Sequence, residues 1–137
     1  MDYGTLARLL QQSLDLQYPP VAMTRTEARP DTVDASTEAV PSACTFWRRA
    51  ETSVFYAGAD AHMGCPIGAM VMGFELSEAK NGELMDLVGG MCEINCLKPE
   101  EVELIPKFDS TRTGAVYEPL ADFPFEPDVV LVWTTPL

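Results

Sequence analysis

The segment from Cys44 to Phe74 constrains the fold more than any other part of the chain. Pro66 suits the first position of a helix, where its missing N–H would have no partner in any case, and Cys65 is therefore the predicted N-cap. Apolar residues then follow at i, i+3, i+4 and i+7, namely Ile67, Met70, Val71 and Phe74. This spacing predicts a helix with one buried stripe that begins directly after a cysteine.

A second cysteine lies at the start of the preceding predicted helix. Ser42 is the predicted N-cap of that helix, which places Cys44 in its first turn, and the helix is expected to run to about Glu51. A thiol at the N-terminus of a helix lies in a positive field that favours the thiolate form. Two cysteines that open two helices therefore favour a thiol-centred site.

The remaining pattern predicts an α/β fold of the mixed α+β kind: a single compact domain, with a small mixed sheet flanked by short helices. The length of 137 residues suits one domain over 1–137, and the Asp-, Ser- and Pro-rich stretch 27–41 reads as a surface loop. Helices are predicted at 2–14, at 83–97 with a bend at Gly89-Gly90, and from Pro99 to Pro106; strands are predicted at 21–26, 53–57, 115–120 and 128–134.

The last predicted strand raises a question of partners. Its unbroken apolar run from Asp128 to Thr134 is typical of a strand buried on both faces. The earlier helices already have other surfaces to cover, so we expect a second copy of the chain, or a second protein subunit, to cover this strand.

Charge and hydropathy exclude several classes of partner. The net charge is −12, from 9 basic and 21 acidic residues, and a surface this acidic repels phosphate groups. Neither nucleic acid nor a membrane is therefore an expected partner. No apolar run approaches the roughly 20 residues that span a bilayer, and no basic leader precedes an apolar run, so a cytoplasmic location is expected.

The four cysteines admit three interpretations. Cys92 and Cys96 are spaced i, i+4, and together with Cys44 and Cys65 they could form a four-thiolate site for zinc or an iron–sulfur cluster. The chain has no C-x-x-C knuckle, which counts against an ordinary structural zinc site. The alternatives are thiol redox chemistry, or a non-catalytic binding or assembly module, one half of a larger complex, with buried structural thiols.

Candidates for binding a cofactor or small molecule include Trp47, Arg48 and His62. His62 is the only histidine and is predicted to lie in a loop just before Cys65, as a further metal ligand or a solvated side chain. Arg48 and Arg49 follow Trp47 directly; they are candidates to hold an anionic ligand near Cys44, and the alternative is that they face water or bind surface carboxylates. No phosphate-binding glycine loop, G-x-S-x-G or H-E-x-x-H motif occurs, so the sequence identifies no catalytic residue and leaves open whether the protein is an enzyme. The one candidate for a histidine-dependent dyad is His62 with Cys65.

Several stretches together resemble the prokaryotic family called domain of unknown function 169. They are YPPVAM after the leading helix, SACTFWRRA before an aromatic strand, MGCPIGAMVMGF, and the ending YEPL…PDVVLVWTTP. The resemblance implies a mixed α/β fold, with cysteines at positions 44 and 65, and implies no established activity. Members of that family usually continue into a second half, so the resemblance implies that this chain is an N-terminal half, a shortened member or one subunit of a split version.

Overall fold

The computed structural model describes residues 2–36, 44–109 and 111–134. Ser42, the predicted N-cap of the Cys44 helix, lies outside these ranges, as does the end of the loop predicted at 27–41. In chain order the described elements are α1 (Tyr3–Leu14), β1 (Val21–Thr26), α2 (Cys44–Arg49), β2 (Phe55–Gly58), α3 (Ala59–His62), α4 (Pro66–Val71), α5 (Glu78–Glu93), α6 (Pro99–Val102), β3 (Gly114–Pro119), a 3-10 turn (Leu120–Asp122) and β4 (Val129–Leu131). The predicted mixture of helices and short strands in one domain is confirmed.

The four strands form one sheet in the order β2-β3-β1-β4. All three pairings are antiparallel, with Val21 opposite Pro119 and Leu131, and Phe55 opposite Tyr117. The first and last strands of the chain therefore lie side by side, and β3 fills the centre of the sheet. The described part of the 27–41 loop runs along the outer edge of β2, where Ala35 forms a parallel bridge with Tyr56.

Alternating residues of these strands bury two separate apolar cores, one on each face of the sheet. The first core combines strand residues with α2 and α4, and its buried members are Val21, Met23, Phe46, Ala50, Phe55, Ala57, Ala69, Phe74, Ala115 and Tyr117. The second core lies under α1, and its buried members are Ala7, Ala22, Val33, Tyr56, Val116, Leu120 and Phe123. Helices thus cover both faces, and the cysteine-bearing segment covers the first.

Helix α1 begins as predicted but is rotated relative to the predicted stripe. Asp2 caps it by accepting from the backbone N–H of Thr5. Leu6 and Leu10 pack against the second core, whereas Leu9 and Leu14 are about half exposed, at 48% and 50%. Ala7, which is small enough for close approach of the helix to the sheet, takes the central position instead.

The prediction for the last strand was wrong. β4 has only three residues, at an edge of the sheet, and its residues are half-buried or exposed rather than buried on both faces. Val129 and Leu131 pack against the first core, while Val130 points away and is 38% exposed. Only one face of this short strand therefore lacks a partner among the described residues, whereas the prediction had a long strand buried on both faces. Cover of that face by a second chain stays a prediction.

The glycine pair in α5 does not bend that helix into two. α5 is a single helix from Glu78 to Glu93, with the side chain of Ser77 capping it by accepting from the N–H of Lys80. Leu84 and Val88 are buried, as the predicted stripe requires, but Leu87 of that stripe is exposed. Among the described helices, none has the length and apolar character needed to cross a membrane.

Candidate functional site

Two short helices bring the cysteine segment onto the first face of the sheet. α4 starts as predicted, with Pro66 in its first turn and Cys65 as its N-cap, although the cysteine side chain makes no capping hydrogen bond. α2 starts at Cys44 and buries Phe46 completely. Trp47 lies about one helical turn from Cys44, and its ring meets that of Tyr117 edge-on at 5.5 Å between centroids.

A cavity of about 280 Å³ lies between these helices and the sheet. We call it the Cys44 cavity; its walls come from β1, α2, α4, the loop before β3, β3 and the edge strand β4, through Met23, Cys44, Trp47, Gly68, Val71, Met72, Phe108, Tyr117 and Val129. Most of these side chains are apolar, and two are methionines, which adapt their shape to irregular contents. Cys44 is itself exposed, so its thiol lies where the cavity meets solvent.

The wall formed by Tyr117 is backed by a buried polar pair. The phenol oxygen of Tyr117 lies 2.9 Å from Nε2 of His62, and Nδ1 of His62 lies 2.8 Å from the carbonyl oxygen of Gly58. A carbonyl only accepts hydrogen bonds, so Nδ1 carries the proton and donates it to Gly58. In the neutral ring Nε2 then accepts from the Tyr117 hydroxyl, and both nitrogens are satisfied.

Aromatic rings surround this pair. His62 lies 5.0 Å from Phe46 and 4.6 Å from Phe74 between ring centroids, and Tyr117 stacks on Phe55 at 5.3 Å. Rings at these separations exclude water, because they fill the core at close-packed density. The polar pair is consequently held rigidly in an apolar setting beneath the cavity.

Burial moves the pKa of both partners away from neutrality. Loss of solvent lowers the pKa of His62 below its ordinary 6.5, opposed in part by the hydrogen bond to Gly58. Burial raises the pKa of Tyr117 well above its ordinary 10, and the nearby Cys44 raises it further. At neutral pH the pair is therefore an uncharged imidazole and an uncharged phenol.

These shifts predict that the free energy of unfolding is greatest around neutral pH and falls at both lower and higher pH. Below about pH 6.5 the unfolded chain protonates His62 while the folded chain does not, so the free energy of unfolding falls as pH falls. Above about pH 10 the unfolded chain ionises Tyr117 while the folded chain does not, so the free energy of unfolding falls as pH rises. Each proton contributes a slope of at most about 1.4 kcal/mol per pH unit.

Urea titrations between pH 5 and 11, on the wild type, His62→Phe and Tyr117→Phe, measure these two slopes. His62→Phe should remove part of the acid fall and Tyr117→Phe part of the alkaline fall. If the free energy of unfolding of His62→Phe fell as steeply as that of the wild type at acid pH, and that of Tyr117→Phe as steeply at alkaline pH, the assignment of these two slopes to the buried pair would be wrong.

The four cysteines do not gather in one place. In the ranges 2–36, 44–109 and 111–134, which hold all four cysteines and His62, no group of three or more His, Cys, Asp or Glu side chains is arranged to hold a metal ion. Cys44 lines the cavity, Cys65 caps α4, Cys92 lies in the last turn of α5, and Cys96 follows that helix. The predicted zinc or iron–sulfur site gains no support from this arrangement and stays a prediction.

The prediction that the thiols are buried was wrong for this chain, whereas the non-catalytic binding or assembly module of which it formed part stays a prediction. Cys44 and Cys96 are exposed, Cys65 and Cys92 are half-buried, and none of the four is in a disulfide. The four cysteines lie at or near the ends of helices α2, α4 and α5, and these helix ends reach the surface.

Three of the predicted cofactor-binding residues face three different directions. Trp47 lines the cavity. Arg48 points to the other side of α2, where its guanidinium lies 4.3 Å from the ring centroid of Tyr18 and forms an ion pair of 2.8 Å with Glu51. His62 is buried and not in a solvated loop, because the segment after β2 folds into α3 and turns the ring inward, and its two hydrogen bonds occupy both nitrogens that a metal would need.

Sequence reasoning missed Tyr117 and Phe108 as site residues. Tyr117 is 55 positions from His62, so no local spacing could reveal the pair. One signal was available for Tyr117: in the predicted strand Ala115–Leu120 it shares a face with Ala115, and a tyrosine on a buried face needs a hydrogen-bond partner. Phe108 lies outside every predicted strand, and no pattern marks it.

Together these features define a class: an α+β domain with a four-stranded antiparallel sheet and an apolar, thiol-edged cavity under its cysteine helices. The chain belongs to the family of domain of unknown function 169, described as an uncharacterised ArCR, whose family profile matches residues 9–137. The resemblance seen in the sequence motifs is thereby confirmed. No curated protein and no solved structure matches the chain.

Proposed function

We propose that this protein binds a small, mainly apolar molecule in the Cys44 cavity. The observation that carries the proposal is the position of the cavity: it is lined by apolar side chains and lies where the thiol of Cys44, the indole of Trp47 and the phenol of Tyr117 converge. Ligand sites in proteins commonly have this character, a mostly apolar concavity with a few polar groups. Its volume of about 280 Å³ is close to the lower end of the range for such sites.

The rigidity of the site supports binding over a mere packing defect. Tyr117 cannot turn inward to fill the space without breaking its hydrogen bond to His62, and Trp47 is fixed by its edge contact with Tyr117. Walls held apart in this way leave apolar side chains facing a space that meets solvent at Cys44, and apolar surface in water is unfavourable. A ligand that fills this space removes that surface from water and stabilises the fold.

Bromobenzene is a suitable probe, because it is apolar, compact and quenches tryptophan fluorescence on contact. In a Trp133→Phe background only Trp47 remains to report. We expect saturable quenching of Trp47 and a rise in Tm that grows with bromobenzene concentration. Val129→Phe, which adds a ring on the cavity wall, should weaken binding at least tenfold.

The matched control is Val130→Phe, the same substitution one residue along on the opposite face of β4, where the side chain is exposed and outside the cavity lining. It should leave the quenching curve unchanged. Linear, non-saturable quenching that is equal in both variants would show that bromobenzene meets Trp47 only by collision, and the proposal would fail.

Metal binding is the competing proposal, and it rests on the four cysteines of the sequence. Protein purified without oxygen should then carry stoichiometric zinc or iron, and Cys65→Ala should lose it. Cysteines from two chains would have to combine to supply enough ligands, given the arrangement within one chain. Elemental analysis of the same preparation that is used for bromobenzene binding tests the metal proposal, and a preparation without stoichiometric zinc or iron would contradict it.

A further inference from the structure

Phe108 lines the Cys44 cavity and also two further concave spaces. The first is a hollow of about 250 Å³ that also contacts Val71 and Lys107, and the second is an open groove of about 510 Å³ at the C-terminal end of α4. The groove is lined by residues of both polarities, among them Glu75, Lys107, Asp109 and Thr111. The groove and the Cys44 cavity thus share Phe108 in their linings.

The ring is held separately from its backbone. The N–H of Phe108 donates to the carbonyl oxygen of Val71 at 3.0 Å, which fixes the loop against α4. The ring itself lies against the guanidinium of Arg25, whose central carbon is 3.5 Å from the ring centroid. To join the groove to the Cys44 cavity, the ring of Phe108 would have to rotate out of its contact with Arg25, and the backbone hydrogen bond to Val71 does not prevent that rotation.

The joined space would have two different ends. The Cys44 end is apolar and the groove end is polar, so a ligand that occupies both has an apolar body and a polar head group. Charge decides which head group fits. The groove presents two carboxylates, Glu75 and Asp109, against the single ammonium group of Lys107, in a protein of net charge −12. This field attracts a cation and repels an anion.

We propose that the ligand is an elongated amphiphile whose apolar chain lies in the Cys44 cavity, passes Phe108, and places a cationic or neutral polar head in the Glu75–Asp109 groove. This inference rests on the proposed function and names the class of its ligand. Phe108 is the position at which chain length is read, because only a chain that extends past its ring brings the head group into the groove.

Calorimetric titration with matched straight-chain compounds tests the inference. The amine, alcohol and carboxylate of four, six and eight carbons are compared at pH 7 and low salt. We expect affinity to rise with length, and the amine to be preferred over the carboxylate by about tenfold at eight carbons but by less than about twofold at four. Selectivity that appears only with length places the head group beyond Phe108.

Charge reversal gives the second arm of the test. Glu75→Lys with Asp109→Lys should abolish or invert the preference for octylamine over octanoate, while bromobenzene binding stays unchanged. Asp122→Lys with Glu126→Lys makes the same change in net charge beside the second core, on the other face of the sheet, and should retain the preference.

The failure of this inference differs from the failure of the proposed function. If bromobenzene binds but octylamine binds no tighter than butylamine, or if both reversal pairs change the selectivity equally, the cavity holds only compact ligands and the amphiphile inference is overturned. If neither bromobenzene nor any alkyl compound binds, the proposed function falls together with it.

Discussion

Replacement of Gly114 by alanine is expected to lower the free energy of unfolding by about 3 kcal/mol or more. A Cβ at this position would lie 2.5 Å from the carbonyl oxygen of Ala57 and closer still to the hydroxyl oxygen of Tyr56, whereas real Cβ atoms essentially never come within 3.0 Å. The carbonyl belongs to the paired strand β2, and the Tyr56 hydroxyl hydrogen-bonds Thr113 at 3.3 Å, so neither group can retreat without losing a contact.

Gly58, directly opposite Gly114 in the sheet, supplies the matched control. A Cβ there would meet no atom closer than 3.8 Å, so Gly58→Ala should change the free energy of unfolding by less than about 1 kcal/mol. Urea unfolding followed by circular dichroism measures both variants. Equal losses at the two positions would show that Gly114 is required for backbone freedom or strand propensity and not for the close approach of β2 to β3.

The second large effect is expected at the buried histidine. His62→Ala should cost about 3–5 kcal/mol, because it removes a ring packed against Phe46 and Phe74 and leaves the buried hydroxyl of Tyr117 without its hydrogen-bond acceptor. For a domain of ordinary stability, about 5–15 kcal/mol, this is a large fraction of the total.

A double-mutant cycle separates hydrogen bonding from packing in this pair. His62→Phe and Tyr117→Phe each keep a ring but leave a buried polar group unsatisfied, at a cost of about 1–3 kcal/mol apiece. The double variant removes the polar atoms of both side chains and should cost less than the sum of the single variants. Additive losses in urea unfolding would mean that the 2.9 Å contact contributes no coupling energy.

The sequence predicted those elements whose bounds depend on residues close together in the chain. The bounds of β1 match the prediction and β3 lies within one residue of it, since alternation and β-branched content are read directly from the sequence. Pro66 fixes the start of α4, because its ring excludes it from a helix interior. These elements carry Met23, Tyr117, Val71 and Met72, so much of the cavity wall stands on predictable structure.

The errors concern features that only tertiary contacts decide. An apolar run shows that β4 is a strand but not that it lies at an edge, because strand order depends on residues more than 100 positions away, as in the pairing of Val21 with Leu131. The same holds for His62: its type predicts a ligand or a solvated side chain, and its burial is set by Tyr117 and by the rings around it. The sequence likewise shows that Cys44 and Cys65 lie at helix starts, but not whether tertiary packing brings the thiols together.

The position of a bound bromine atom tests ligand binding in the Cys44 cavity most directly. Crystals of the wild-type protein soaked with bromobenzene are examined by anomalous diffraction at the bromine absorption edge. We predict one strong peak inside the cavity, between Trp47, Met72 and Tyr117, which is absent from crystals of Val129→Phe. An empty cavity, with bromine found only on the protein surface, would contradict the proposed function.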